Sequence, residues 1–142
     1  MANHPVHYSV FEFFDRARRT KTFARLLNKV SVIEAQNGNC LAHYTVTEEE
    51  TNAGGVLHPG FIAFLMNSIT HCSKITSNVS HPAKDEPLFL NIQYLRSALP
   101  GDELLIEAKN LRTGSLLQNF HTELRLQDEL HGIIATTGKA GY

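Results

Sequence analysis

The chain has 142 residues, 42% of them hydrophobic, enough for one domain with a substantial core and no need of a second. Lys and Arg number 13 against 14 Asp and Glu, so the excess positive field of a nucleic-acid binder is missing and no nucleic-acid partner is expected. No apolar run approaches the ~20 residues of a membrane span, which reads as a soluble protein.

Val10, Phe13, Phe14 and Ala17 recur at helical spacing and are followed by Phe23, Leu26 and Leu27, with Ser9 as N-cap and Glu12 three residues later. This predicts an amphipathic N-terminal helix over about 9–27, with a break near Thr20. The basic residues Arg16, Arg18, Arg19, Lys21, Arg25 and Lys29 read first as its solvated face, and Glu12 and Asp15 argue against an organelle-targeting helix. Runs 29–36 and 39–47 have β character, and Asn37-Gly38 between them is a strong hairpin signal. In the second run Cys40, Ala42, Tyr44 and Val46 share one face, while Leu41, His43 and Thr45 share the other.

A polar, glycine-rich approach from Thr51 ends in His58-Pro59-Gly60 and enters an apolar stretch, the pattern of a loop delivering a buried helix N-terminus. The first N–H groups of such a helix lack intrahelical partners and its dipole adds positive charge, which suits an anion or oxyanion. From Pro59 to about Lys74, Phe61, Ile62, Phe64, Leu65, Met66, Ile69 and Cys72 cover most of the circumference, so sheet is expected to wrap this helix.

Strands are then predicted over 88–95, 103–111, 116–126 and 130–139, with turns at Pro100-Gly101-Asp102, Thr113-Gly114-Ser115 and Asp128-Glu129. Phe120, Thr122, Leu124 and Leu126 alternate with His121, Glu123, Arg125 and Gln127, as in an antiparallel sheet with one wet side. Helix, hairpin, buried helix and strand meander make an α+β fold. It is read as a single domain over 1–142 with five or six antiparallel strands around a central helix.

Cys40 and Cys72 lack C-x-x-C spacing and are expected as reduced, buried thiols. The eight histidines form no H-E-x-x-H pair and no Cys/His ligand cluster, so no metal is expected.

Thr51-Asn52-Ala53 leading to Leu57-His58-x-Gly60, the long apolar helix, Asn91-Ile92-Gln93-Tyr94 and Gly101-Asp102 together resemble the hotdog-fold acyl-CoA thioesterases. Within them the chain looks most like the thioesterase superfamily member 2 and phenylacetyl-CoA thioesterase type, over roughly residues 10–139. The resemblance implies a homodimer or a dimer of dimers, acting on acyl-CoA at subunit interfaces. It implies no cofactor beyond the coenzyme A of the substrate or ligand, and a cytoplasmic or mitochondrial-matrix location.

The same resemblance supplies a site. Asn67 stands where the family has its catalytic carboxylate, Asn52 and His58 order the loop and water, and Pro59 replaces the glycine whose N–H polarises the thioester carbonyl. Pro59, Gly60, Gly114 and Ser115 are the implied substrate-binding positions, and the family's Ser or Thr on the following strand aligns with Pro87. An amide cannot take a proton as a carboxylate does, and proline has no N–H. Losing a general base costs typically ~10²–10⁴-fold and one oxyanion donor ~10²–10³-fold, so hydrolysis by the family route is expected to be severely weakened.

His71, one turn beyond Asn67, is an alternative base, with a satisfied core or interface histidine as the competing reading. Cys72 reads as packing. The basic set from Arg16 to Lys29 is a further candidate for coenzyme A phosphates. If 59–74 is helical, His58 and Asn67 stand about 13.5 Å apart along the axis, so only the Asn67 of a symmetric, antiparallel partner helix could reach this His58. Two functions stay open. One is an acyl-CoA thioesterase with a modified site; the other is a non-catalytic hotdog protein, either an acyl-CoA binder or a structural subunit of a larger protein assembly.

Overall fold

In the computed structural model, which describes residues 6–77, 87–113, 118–127 and 133–141, helix α1 spans Tyr8–Arg19 and buries Val10, Phe14 and Ala17. The N-cap is His7, whose side chain accepts the Ser9 N–H at 3.2 Å, and not Ser9. The reason is tertiary: the His7 N–H bonds the Ala35 carbonyl at 2.7 Å, fixing where the chain leaves the sheet edge and turns. The predicted 9–27 helix is two pieces. The Thr20 hydroxyl accepts the Thr22 N–H at 3.1 Å, a local alternative to helical bonding, and a 3₁₀ helix over Phe23–Lys29 follows.

Strands β1 (Ser31–Gln36) and β2 (Asn39–Thr45) form the expected hairpin. Asn37 and Gly38 have φ of 54° and 80°, the two positive values that a type I′ turn requires. The turn is held from below, because Gly38 N–H donates to Thr76 Oγ1 at 2.9 Å and the Ser73 hydroxyl donates to the Gly38 carbonyl.

Helix α2 (Pro59–Ile75) precedes β3 (Pro87–Tyr94), β4 (Glu103–Thr113), β5 (Gln118–Leu126) and β6 (Ile133–Gly141). All pairings are antiparallel, in the order β1-β2-β4-β5-β6-β3. The predicted simple meander is therefore corrected: β4, β5 and β6 meander, but β3 lies at the far edge against β6. The connection after β3 crosses the end of the sheet. Buried Ala98 takes the Leu57 N–H at 2.8 Å, and Gly101, at φ 92°, donates to the Val46 carbonyl at 2.8 Å.

The concave face carries Cys40, Ala42 and Tyr44 from β2, Leu104, Ile106 and Ala108 from β4, and Phe120, Thr122 and Leu124 from β5, all buried. Facing them, α2 buries Phe61, Ile62, Leu65, Met66, Ile69 and Cys72. Thr122, polar in this core, shares a 2.7 Å hydrogen bond with Thr70. Both cysteines are free and buried. One stripe of α2 escapes complete burial: Gly60 is exposed, and Ala63, Phe64 and Asn67 are half-buried, at the i, i+3, i+4, i+7 spacing of a single helix face. The same face continues through His71 and Lys74, which α1 covers. Among the described residues no helix is long and apolar enough to cross a membrane.

Candidate functional site

The N-terminus of α2 is assembled from three directions. His58 is the N-cap, and its Nδ1 accepts the Gly60 N–H at 2.8 Å. Pro59 takes the first helical position, where its fixed φ suits the helix and its missing N–H is no loss to it. From the far sheet edge, the Tyr94 hydroxyl donates to the Pro59 carbonyl at 2.8 Å. Ile62 N–H bonds the His58 carbonyl at 3.0 Å, so Phe61 N–H is the one first-turn donor without an acceptor among the described residues.

Asn52 organises the loop before it. Its side-chain oxygen accepts the N–H groups of Gly54 at 3.0 Å and Val56 at 3.3 Å, and its own N–H bonds the Val56 carbonyl at 2.8 Å. Gly55, at φ 78°, completes this tight turn, where a side chain would be strained. The carboxamide of Asn52 thus shapes the loop through its oxygen.

Below the loop lies a charged cluster. Lys29 Nζ donates to Glu49 at 2.6 Å, Glu50 at 2.8 Å and Thr47 Oγ1 at 2.8 Å, and the Thr47 hydroxyl donates to Glu50 at 2.5 Å. Burial alone would push the Glu50 carboxyl up, but hydrogen bonds from Lys29 and Thr47, with the Tyr44 hydroxyl close by, outweigh it and hold the group below its ordinary value. The Tyr44 contact is an approach of the buried hydroxyl and not a hydrogen bond of ordinary geometry. Burial first, then the neighbouring Glu50, pushes the Tyr44 phenol far up.

The structure brings Asn52, His58, Pro59 and Gly60 together and leaves Asn67 elsewhere. Because α2 is unbroken from Pro59, Asn67 sits about 13.5 Å along the axis from His58, on the open stripe. Pro87 opens β3 while Tyr94 closes it, so Pro87 lies about 24 Å along the strand from the residue that touches Pro59. Gly114 and Ser115 fall outside the described residues. His71 is buried with its ring 5.2 Å from that of Phe13, on the α1 side of the helix. It borders a cleft of about 680 Å³ between α1 and the C-terminal half of α2, lined also by Arg16, Thr20 and Lys74.

The family model for the thioesterase superfamily matches residues 88–133. The human acyl-coenzyme A thioesterase 13 is 28% identical over 131 residues, covering 92% of this chain and 91% of that one. The zebrafish thioesterase superfamily member 2 structure superposes with a TM-score of 0.85 at 29% identity, covering 95% and 96% of the two chains. The chain belongs to the hotdog-fold thioesterase superfamily. A more distant neighbour shares the fold alone, with a TM-score of 0.77 at 15% identity over 92% of this chain and 93% of that one. It is a hypothetical thioesterase protein with coenzyme A from Streptococcus pneumoniae.

Within this thioesterase-like chain, three members of the basic set from Arg16 to Lys29 have local partners: Arg19 pairs with Asp15 at 3.2 Å, Arg25 bonds the carbonyls of Lys21 and Thr22, and Lys29 binds Glu49 and Glu50. Tyr94, in contrast, joins the α2 N-terminus although sequence reasoning placed it only on a strand. Its one signal was membership of the Asn91–Tyr94 motif.

Proposed function

We propose that the chain is an acyl-CoA thioesterase of the hotdog type with a weakened site, which binds acyl-CoA between two copies and hydrolyses it slowly. The observation that carries this reading is the open stripe of Gly60, Ala63, Phe64 and Asn67 on a helix whose other residues from Phe61 to Lys74 are buried. A second copy packed antiparallel along it covers the stripe and sets Asn67 of the partner subunit beside Gly60. The name of the human relative supports acyl-CoA as the ligand class, and the coenzyme A in the streptococcal structure agrees with it.

In this reading the thioester carbonyl lies at the α2 N-terminus, where the helix dipole favours developing negative charge. The amide of the partner's Asn67 holds the attacking water by hydrogen bonding but does not take its proton, which passes to solvent as the C–S bond breaks and coenzyme A leaves as its thiolate. His58 and Asn52 keep the loop in shape. Coenzyme A enters as part of the ligand, and no other cofactor takes part.

The non-catalytic alternative also has an observation in its favour. Pro59 has no N–H, and the Gly60 N–H is already used by His58. One experiment separates the two readings: coenzyme A release from short, long and aromatic acyl-CoAs, with calorimetric binding in parallel. Release above the spontaneous rate supports the thioesterase. Binding without release assigns an acyl-CoA binder, and neither one ends the acyl-CoA reading.

A further inference from the structure

The residue that presents a carbonyl to the candidate site also carries a buried charge. The Glu50 carbonyl accepts the His58 N–H at 2.8 Å, while the Glu50 carboxylate, only 4% exposed, points into the cluster with Lys29 and Thr47. A buried carboxylate is tolerated only when paired and hydrogen-bonded. Lys29 does both here, and it comes from the 3₁₀ helix that ends at Lys29, well outside the loop.

We infer that Lys29 and Glu50 form a positioning pair for the ligand site: the ion pair fixes the Glu50 backbone, and the Glu50 backbone fixes His58. The neighbouring bonds make the loop responsive to this one anchor. The Thr51 hydroxyl donates to the Glu48 carbonyl at 2.7 Å, and Thr51 forms an isolated antiparallel bridge with Leu57, so the 48–51 turn and residues 57–58 are tied together. His58 in turn caps α2 through Gly60. Without the Lys29 ammonium, Glu50 is a buried, uncompensated charge that must take up a proton or swing out to water. Either response loosens the carbonyl that holds His58.

This inference rests on the proposed role of the His58 loop, and its test has one arm that does not. Amide hydrogen exchange is followed by NMR in the full chain for His58 and Gly60, with Ile106 in the central strand as reference, in the wild type, Lys29→Met and Lys29→Arg. Coenzyme A and acetyl-CoA are titrated in parallel. In Lys29→Met, His58 exchange is expected to rise about ten-fold relative to Ile106 as the loop opens locally, with ligand affinity falling by a similar factor. Lys29→Arg, which keeps the charge and offers a fork to Glu49 and Glu50, is expected to restore both to within about three-fold.

A purely structural role would speed Ile106 and His58 exchange together, and that result overturns the inference. Equal His58 exchange in folded Lys29→Met and wild type, or no rescue by Lys29→Arg, also overturns it. Where Lys29→Met does not fold, Thr47→Val removes one hydrogen bond from the same carboxylate and is expected to give a smaller change in the same direction; no change there counts against the inference. If the wild type binds neither ligand, the acyl-CoA reading fails while the exchange arm still decides the anchor.

Discussion

His58 Nδ1 accepts the Gly60 N–H at 2.8 Å across an intervening proline, so the cap of α2 closes the helix end on itself. In the proposed reading this end faces the thioester carbonyl, which makes the cap and the ligand competitors for the same polar groups.

Asn67→Asp is expected to raise acyl-CoA hydrolysis ten-fold or more, because it restores a carboxylate of nearly the same shape and a positioned base is worth ~10²–10⁴-fold. Pro59→Gly, which restores an N–H at the first helical position, should add to it. The measurement is steady-state coenzyme A release by each single variant and the pair. No gain in a double variant that folds and binds acyl-CoA means that the site's geometry has been lost together with its residues.

Gly60→Ala tests the cap. An added Cβ would stand 3.0 Å from His58 Nδ1 and 3.1 Å from Cε1, so the ring must move. Losing a cap of this kind costs about 1 kcal/mol, which alanine's better helix propensity partly offsets. The expected outcome is a melting temperature close to wild type with a displaced His58 ring resonance. An unshifted His58 would mean that the ring tolerates the methyl group without leaving Gly60.

Ala63→Glu places a charge in the middle of the open stripe. If two copies pack antiparallel along this face, the two glutamates approach each other and the assembly weakens, since like charges and buried unpaired carboxylates are both unfavourable. Sedimentation at micromolar concentration should show a dimer for wild type and mainly monomer for the variant. A wild-type monomer would remove the interface from the functional reading altogether.

The Lys29–Glu50 pair predicts a pH signature. Glu50 is held below its ordinary 4.5, so its contribution to stability is present above that value and is lost as the pH falls through the lower, folded value. Hydrogen bonds donated to Glu49 first and Glu50 second hold Lys29 above its ordinary 10.5, so its contribution is present below that value and is lost as the pH rises through the folded one. Denaturation curves for wild type and Glu50→Gln should therefore differ at neutral pH and converge on acidification. A constant gap down to strongly acidic pH would show that Glu50 does not titrate with folding.

Local chemistry made much of this protein legible. Asn37-Gly38 demanded a turn with two positive φ values, Pro59 after a polar loop marked a helix start, and the all-round apolar helix called for a sheet around it. Each signal lies within a few residues, where sterics and periodicity act directly. The Thr51–Gly60 motif pointed to the same loop from which the candidate site is built.

What the tertiary structure alone decided is long-range. His7 displaced Ser9 as the cap of α1 because Ala35 holds the His7 N–H, and β3 went to the far edge because its connection to β4 is anchored at Leu57 and Val46. Glu50 found its cation 21 residues away in Lys29, which in sequence looked like one more member of a solvated basic face. Tyr94 and Pro59, 35 residues apart, met only because the sheet edge returns to the α2 N-terminus. Periodicity records which face of an element is apolar; the choice of neighbour depends on burial and hydrogen bonding that exist only once the chain has closed on itself.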